Sequence, residues 1–331
     1  MLIATSRVVT ILTKRLDLFM ASGFFMGANH CAAKLCHDGG FGGHSKMDTS
    51  LFALNTLRAG MAAEVTGLDL SHAWDGTLRD TVLNTFHEFP VLVFRDQKLD
   101  KPAQIAFSET FGELELHVNR DFRSDGFPTV HEVSNRDLKT GSPTAKLANR
   151  GNYHWHTDKS YLPRPSLATF LHAVELPPKG GDTLFAHMGN AYDALSDQKK
   201  CEIANLKMVH SWERTRIKSG SKPATAQEIE DAPPVEHPLV RTHPGTGRKG
   251  LYIGTHASHV ADMDRKEGEA LLDELQSFAT QDRFVYRHVW QTGDLVMWDN
   301  RCLLHKATES YAMDQYVRLM HRTVVKGDKP V

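Results

Sequence analysis

The stretch "SLATFLHAVELPPKGGDTLFAH", Ser166 to His187, decides the architecture. It holds two strand-like runs, "SLATFLHAVEL" and "DTLFAH", parted by the Pro- and Gly-rich "PPKGG". A parallel strand–helix–strand unit needs about a dozen residues between its strands, and this gap is far too short. The same texture continues downstream in "PLVRTHP", "GLYIG", "FVYRHVW", "DLVMWD" and "YVRLMHRTVV". Short strands with few helices between them predict a mainly β fold with flanking helices. A double-stranded β-helix, or jelly-roll, core is one way such a chain manages its exposed edges.

Helices are expected around this core. "TLRDTVLNTFHEF" places Val82, Leu83, Phe86 and Phe89 on one face, and "FPVLVFRD" then reads as a buried strand, Val91 to Phe94. Asp100 is a natural N-cap with Pro102 in the first turn, opening a helix through Phe111 that Gly112 closes. Leu271, Leu272 and Leu275 mark the inward face of "DRKEGEALLDELQSFAT". No linker or repeat divides residues 47–331, which are expected to form a single jelly-roll domain. Residues 1–46 differ: they are acid-poor up to Asp17, run into "GGFGGHS", and read as a disordered extension or an overlong start.

The totals restrict function. Lys plus Arg is 39 against 40 Asp plus Glu, which argues against a general electrostatic hold on nucleic acid or an anionic membrane. No apolar run is long enough to cross a bilayer. Cys31, Cys36, Cys201 and Cys302 form no CxxC pair, so they read as reduced thiols in a cytoplasmic setting. The 19 histidines make metal chemistry worth testing.

"NYHWHTDKSY" concentrates that chemistry in His156 and Asp158. About two His-x-acid pairs are expected by chance in this composition, so the pair alone is weak. On a strand the two side chains would share a face, with Thr157 turned away. A third ligand is best sought at His305, in "GDLVMWDNRCLLHKAT", although a surface histidine there is equally reasonable on its own. Arg318 follows His305 by thirteen residues, and Arg318 and Arg322 would lie on one face of "YVRLMHRTVV". Either that face is solvated, or the two guanidiniums line a barrel mouth and grip anions through their forked donors.

Taken in order, "WHTD", "GGDT", "GDLVMWDNR" and "RLMHR" resemble the marks of the Fe(II)/2-oxoglutarate dioxygenases related to taurine dioxygenase and 2,4-dichlorophenoxyacetate dioxygenase. The resemblance covers roughly Leu57 to Val325 and is nearest the aryloxyalkanoate branch. It implies Fe(II) on His156, Asp158 and His305. It implies that the distal carboxylate of 2-oxoglutarate sits on Arg318 and accepts from Thr183. It implies a small anionic substrate held by Arg322, with Asn152 and His117 as further contacts and O2 as the second substrate. Hydroxylation of an aryloxyalkanoate would release a phenol, succinate and CO2. Arg120 stands where taurine dioxygenase has a tyrosine, which weakens the taurine reading, and a taurine/alkylsulfonate or alkyl sulfate substrate is the runner-up. Relatives are commonly homo-oligomeric. Two rival readings are a 2-oxoglutarate-binding barrel without turnover and a zinc hydrolase built on His154, His156 and His305. The first need not keep all five residues, and the second leaves Asp158 and Arg318 unexplained.

Overall fold

A computed structural model of the protein describes residues 51–116, 123–137, 139–146, 150–220 and 223–331. The expected extension, residues 1–46, and the candidate contact His117 lie outside the described residues, as does Arg120.

The chain opens with β1 (Ala53–Arg58), β2 (Ala62–Thr66), α1 (Gly76–Glu88), β3 (Val91–Phe94) and α2 (Lys101–Glu109). β4 (Arg123–Ser124), β5 (Phe127–Ser134), β6 (Ser166–Glu175) and β7 (Thr183–His187) follow. A helical stretch interleaved with short strands comes next: α3 (Met188–Asp193), α4 (Asp197–Ile203), β8 (Lys207–His210), α5 (Trp212–Lys218), α6 (Ala226–Asp231) and β9 (Val235–Pro238). The remainder is β10 (Val240–Thr242), β11 (Lys249–Leu251), β12 (Ala257–Val260), α7 (Arg265–Ala279), β13 (Val285–His288), β14 (Leu295–Asp299), β15 (Leu303–Ala307) and β16 (Leu319–Lys326).

Eight of these strands form one sheet in the order β1-β2-β3-β14-β6-β16-β5-β4, and β13-β7-β15 form a three-stranded sheet. Two smaller sheets pair β12-β8-β9 and β10-β11. All pairings of these strands but one are antiparallel. The exception is β2 beside β3, and there the intervening gap is long enough to hold α1 as a crossover. Among the described residues the sheets stay open, and no barrel closes.

Period-two alternation divides the large sheet into two faces. Leu295 and Met297 of β14, Phe170 of β6 and Val325 of β16 pack with Val82 and Phe86 of α1 and Phe107 of α2. Phe107 alone meets the rings of Trp74, Phe94, Phe111 and Phe170 at 4.8–5.8 Å. Burying such a side chain stabilises the fold by about 1.5–3 kcal/mol. The opposite residues, Val296 and Trp298, Leu171 and Ala173, and Met320, pack with Phe185 of β7. That second face carries the polar residues described below.

The three expected helices are present, each started by an aspartate side chain that accepts from the first turn: Asp75, Asp100 and Asp264. α2 ends at Glu109, before the expected Phe111. α3 to α6 were not legible because each has only six or seven residues and too little apolar periodicity. Local capping starts them instead, by His187, Ser196, Ser211 and Thr225.

Candidate metal centre and co-substrate pocket

"WHTD" is not a continuous strand. His156 forms an isolated antiparallel bridge to His305, and the chain then turns at Asp158. In that bridge His156 N donates to His305 O at 3.1 Å and His305 N donates to His156 O at 2.8 Å. Two imidazoles 149 positions apart are thereby set opposite one another, with ring centroids at 4.1 Å. β15 carries His305 next to Phe185 of β7, which fixes the ring from the other side.

Asp158 completes the group. Its Oδ1 lies 3.9 Å from His156 Nε2 and its Oδ2 lies 3.8 Å from His305 Nε2. One donor atom from each residue falls within 4.8 Å of the others, and all three residues are buried. The protonation states suit ligation. His156 Nδ1 donates to the His154 carbonyl at 2.8 Å, so the lone pair of the neutral ring is on Nε2. Burial lowers the pKa of both imidazoles, His305 the more strongly, and keeps them neutral. Burial pushes the Asp158 carboxyl up, but the Arg322 guanidinium and the neighbouring groups outweigh it and hold it well below the usual carboxylate range. Two neutral imidazoles and a carboxylate on one side of a cavity are the donor set of non-haem Fe(II) sites that keep positions open for substrate and oxygen.

A bracket behind Asp158 holds it in place. Thr169 Oγ1 donates to Asp158 Oδ2 at 2.6 Å, and Asn300 Nδ2 donates to the same hydroxyl oxygen at 2.9 Å. Asn300 Oδ1 accepts from Asp158 N at 3.2 Å, and Thr157 Oγ1 donates to the Asn300 carbonyl at 2.7 Å. Thr169 carries no local sequence signal beyond a hydroxyl in a strand. Lys159, which its place beside a ligand suggests is a surface charge, is instead buried and ion-paired with Glu115.

The group opens onto a cavity lined by Asn152, His156, Thr183, His305, Arg318 and Arg322 among others. The structure thus brings every described candidate residue to one place. Arg318 is 7% exposed, and no carboxylate among the described residues pairs with it. Its Nε donates to the Gly181 carbonyl at 3.0 Å, which orients the guanidinium, and burial pulls its pKa below the usual range. Thr183 Oγ1 accepts from Trp290 Nε1 at 3.0 Å, so its hydroxyl proton is free to point elsewhere. Trp290 is a further site residue that sequence reasoning missed. Arg322 Nη1 donates to Asp158 Oδ1 at 3.4 Å, and its buried Nε has no partner. His154, the third ligand of the zinc alternative, is exposed and reaches the site through its carbonyl.

Comparison with known proteins decides the family. The profile of the taurine catabolism dioxygenase TauD, TfdA family matches residues 53–324. The chain belongs to this TauD/TfdA family. It is a non-haem Fe(II)/2-oxoglutarate-dependent dioxygenase by that membership. Among TauD/TfdA relatives, it is 41% identical over 259 residues to the alpha-ketoglutarate-dependent 2,4-dichlorophenoxyacetate dioxygenase of Cupriavidus pinatubonensis, covering 76% of this chain and 90% of that one. It is 37% identical to the (S)-phenoxypropionate/alpha-ketoglutarate-dioxygenase of Sphingobium herbicidovorans, over 84% and 96% of the two chains. Among solved structures, AAD-2 in complex with Mn(II) and N-oxalylglycine superposes with a TM-score of 0.75 at 39% identity, over 84% of this chain and 98% of that one.

Proposed function

We propose that this TauD/TfdA enzyme hydroxylates an aryloxyalkanoate at the carbon beside the ether oxygen, giving a hemiacetal that collapses to a phenol. The observation that carries the reading is the placing of two guanidiniums, buried Arg318 and partly buried Arg322, in one cavity with the His156, Asp158 and His305 group. A dianionic co-substrate and an anionic substrate each need a countercharge to leave water. The two relatives named above, one acting on 2,4-dichlorophenoxyacetate and one on phenoxypropionate, support the substrate class.

In this reading His156, Asp158 and His305 hold Fe(II), and Arg318 with the Thr183 hydroxyl holds the distal carboxylate of 2-oxoglutarate. The bound metal and 2-oxoglutarate supply oxygen activation coupled to decarboxylation. The chain's own residues bind and orient. Arg322 grips the substrate carboxylate, Asn152 lines its approach, and Trp298 and Leu171 form the apolar wall against which it rests. His117 is carried over as a substrate contact by resemblance alone. Arg322 also faces Asp158, so the group that positions the substrate helps keep the ligand carboxylate ionised.

We propose further that the large sheet and β13-β7-β15 are the two walls of a double-stranded β-helix in a single domain. Support comes from Phe185 on one wall, 5.5 Å from Trp298 on the other. Cys201 and Cys302, neither of them in a disulfide, support a cytoplasmic setting, and no helix of the described residues is long and apolar enough to cross a membrane.

The test is a substrate panel with Fe(II), 2-oxoglutarate and oxygen, scored for succinate and then for phenol or sulfite. Phenol release from aryloxyacetates or aryloxypropionates is expected. Sulfite from alkylsulfonates, or an aldehyde and sulfate from alkyl sulfates, would move the substrate to the sulfur-ester side of the family. Absence of succinate with every substrate would leave a binding barrel.

A further inference from the structure

A second cavity shares no lining residue with the co-substrate pocket. It lies at the end of β14, where Asp299, Arg301 and Cys302 meet Arg241, Arg248 and His187. Its charge is unbalanced. The acid in its wall, Asp299, is fully engaged: Oδ1 accepts from the backbone and Nε of Arg301 at 2.8 Å each, and Oδ2 accepts from Arg301 Nη2 at 2.6 Å and His243 Nε2 at 3.0 Å. Arg248 at the rim pairs with Asp193 at 2.6 Å.

Arg241 has no carboxylate partner among the described residues. It is 3% exposed, and within them its Nε and Nη1 are buried without a hydrogen-bond acceptor. Its compensation is the Tyr252 ring, whose centroid lies 5.0 Å from the guanidinium carbon. Two guanidinium nitrogens stripped of water and left without an acceptor are costly, and an arriving anion would remove that cost. His187 adds an oriented donor. Its Nδ1 accepts from Gly189 N at 3.1 Å and Asn190 N at 3.3 Å, so the neutral ring carries its proton on Nε2. Lys249 contributes a further cation at an exposed position.

The same wall contains His243, Asp299 and Cys302 within 4.8 Å of one another, a spacing that a metal ion could bridge. Their chemistry argues against one. His243 Nδ1 accepts from Gly245 N and Thr246 N at 3.1 Å each, and its Nε2 is committed to Asp299. Arg301 already neutralises Asp299, and burial pushes the Cys302 thiol well up, away from the thiolate a metal needs.

We infer that this cavity is a binding site for a small oxyanion, a phosphate or carboxylate, held by Arg241 with His187 beside it and Lys249 at the rim. The forked donors of a guanidinium suit either group.

Calorimetric titration of inorganic phosphate and, separately, of acetate into the full chain tests the inference, at constant ionic strength with chloride as control. Saturable binding of one of them is expected, and the arm that saturates assigns the anion class. Affinity is expected to fall at least about tenfold in Arg241→Met and to stay within about twofold in Arg318→Met, which alters the other pocket. Lys249→Gln, a change at an exposed position, is expected to weaken binding about threefold and keeps the test open if Arg241→Met does not fold. Absence of saturable heat for both anions in the unaltered protein overturns the inference. So does binding that is lost in Arg318→Met and retained in Arg241→Met.

Discussion

Thr169 donates its hydroxyl to Asp158 Oδ2 at 2.6 Å from the first half of β6. The contact fixes which way the carboxylate faces. Thr169→Val keeps the shape and removes the bond, so metal affinity is expected to fall about 10–100-fold with the fold intact. Titration of Fe(II) into metal-free protein, with circular dichroism as the control for folding, measures this. Unchanged metal affinity would reduce Thr169 to a packing residue.

The two arginines of the co-substrate pocket are expected to separate kinetically. Arg318→Met should raise the KM for 2-oxoglutarate about a hundredfold or more and affect the organic substrate far less; Arg322→Met should do the reverse. Steady-state kinetics with each substrate varied in turn distinguishes them. Equal losses in both variants would contradict the assigned roles.

The paired glycines of "GGDT" predict two different outcomes. Gly181 has φ +72°, and a Cβ there would stand 3.0 Å from Arg318 Cδ. Gly181→Ala is therefore expected to displace the guanidinium and raise the KM for 2-oxoglutarate several-fold. A Cβ on Gly180, at φ +85°, would meet the Ser310 carbonyl oxygen at 2.2 Å, which forces the backbone to move. Gly180→Ala should cost about 2–3 kcal/mol of stability, read from urea unfolding.

Burial lowers the pKa of His187 to about 4 from an ordinary 6.5. The unfolded chain thus binds a proton that the folded one refuses, and stability present above about pH 6.5 is lost as pH falls toward 4. The shift corresponds to on the order of 3 kcal/mol. His187→Asn keeps an acceptor for the two α3 amides and removes the titration. Its urea midpoint should fall less between pH 7 and pH 4.5 than that of the unaltered protein.

Much of this was legible in the chain. Six of the seven strand-like runs used to read the fold contain a strand of three residues or more, and "GLYIG" only its first two residues, because alternation of apolar and polar residues leaves a trace wherever a sheet has two different faces. Arg318 and Arg322 were readable for the same reason: on one face of a strand, two guanidiniums break an apolar pattern. Lys159 was misread because its burial depends on Glu115, forty-four positions earlier, and no local pattern records that pairing. Trp290 and Thr169 look like ordinary core residues; their roles arise from which neighbour the folded sheets place within reach of one polar atom.

His305 sits on the three-stranded sheet, while the hydroxyl that aims Asp158 belongs to the eight-stranded one. An ion joined to both would act as a rivet between two separate layers, absent once the layers part. Melting temperature should then climb with the logarithm of free ferrous ion, and the climb should vanish in His305→Ala. Iron supply, and not only catalysis, would set how long a molecule of this enzyme survives warming.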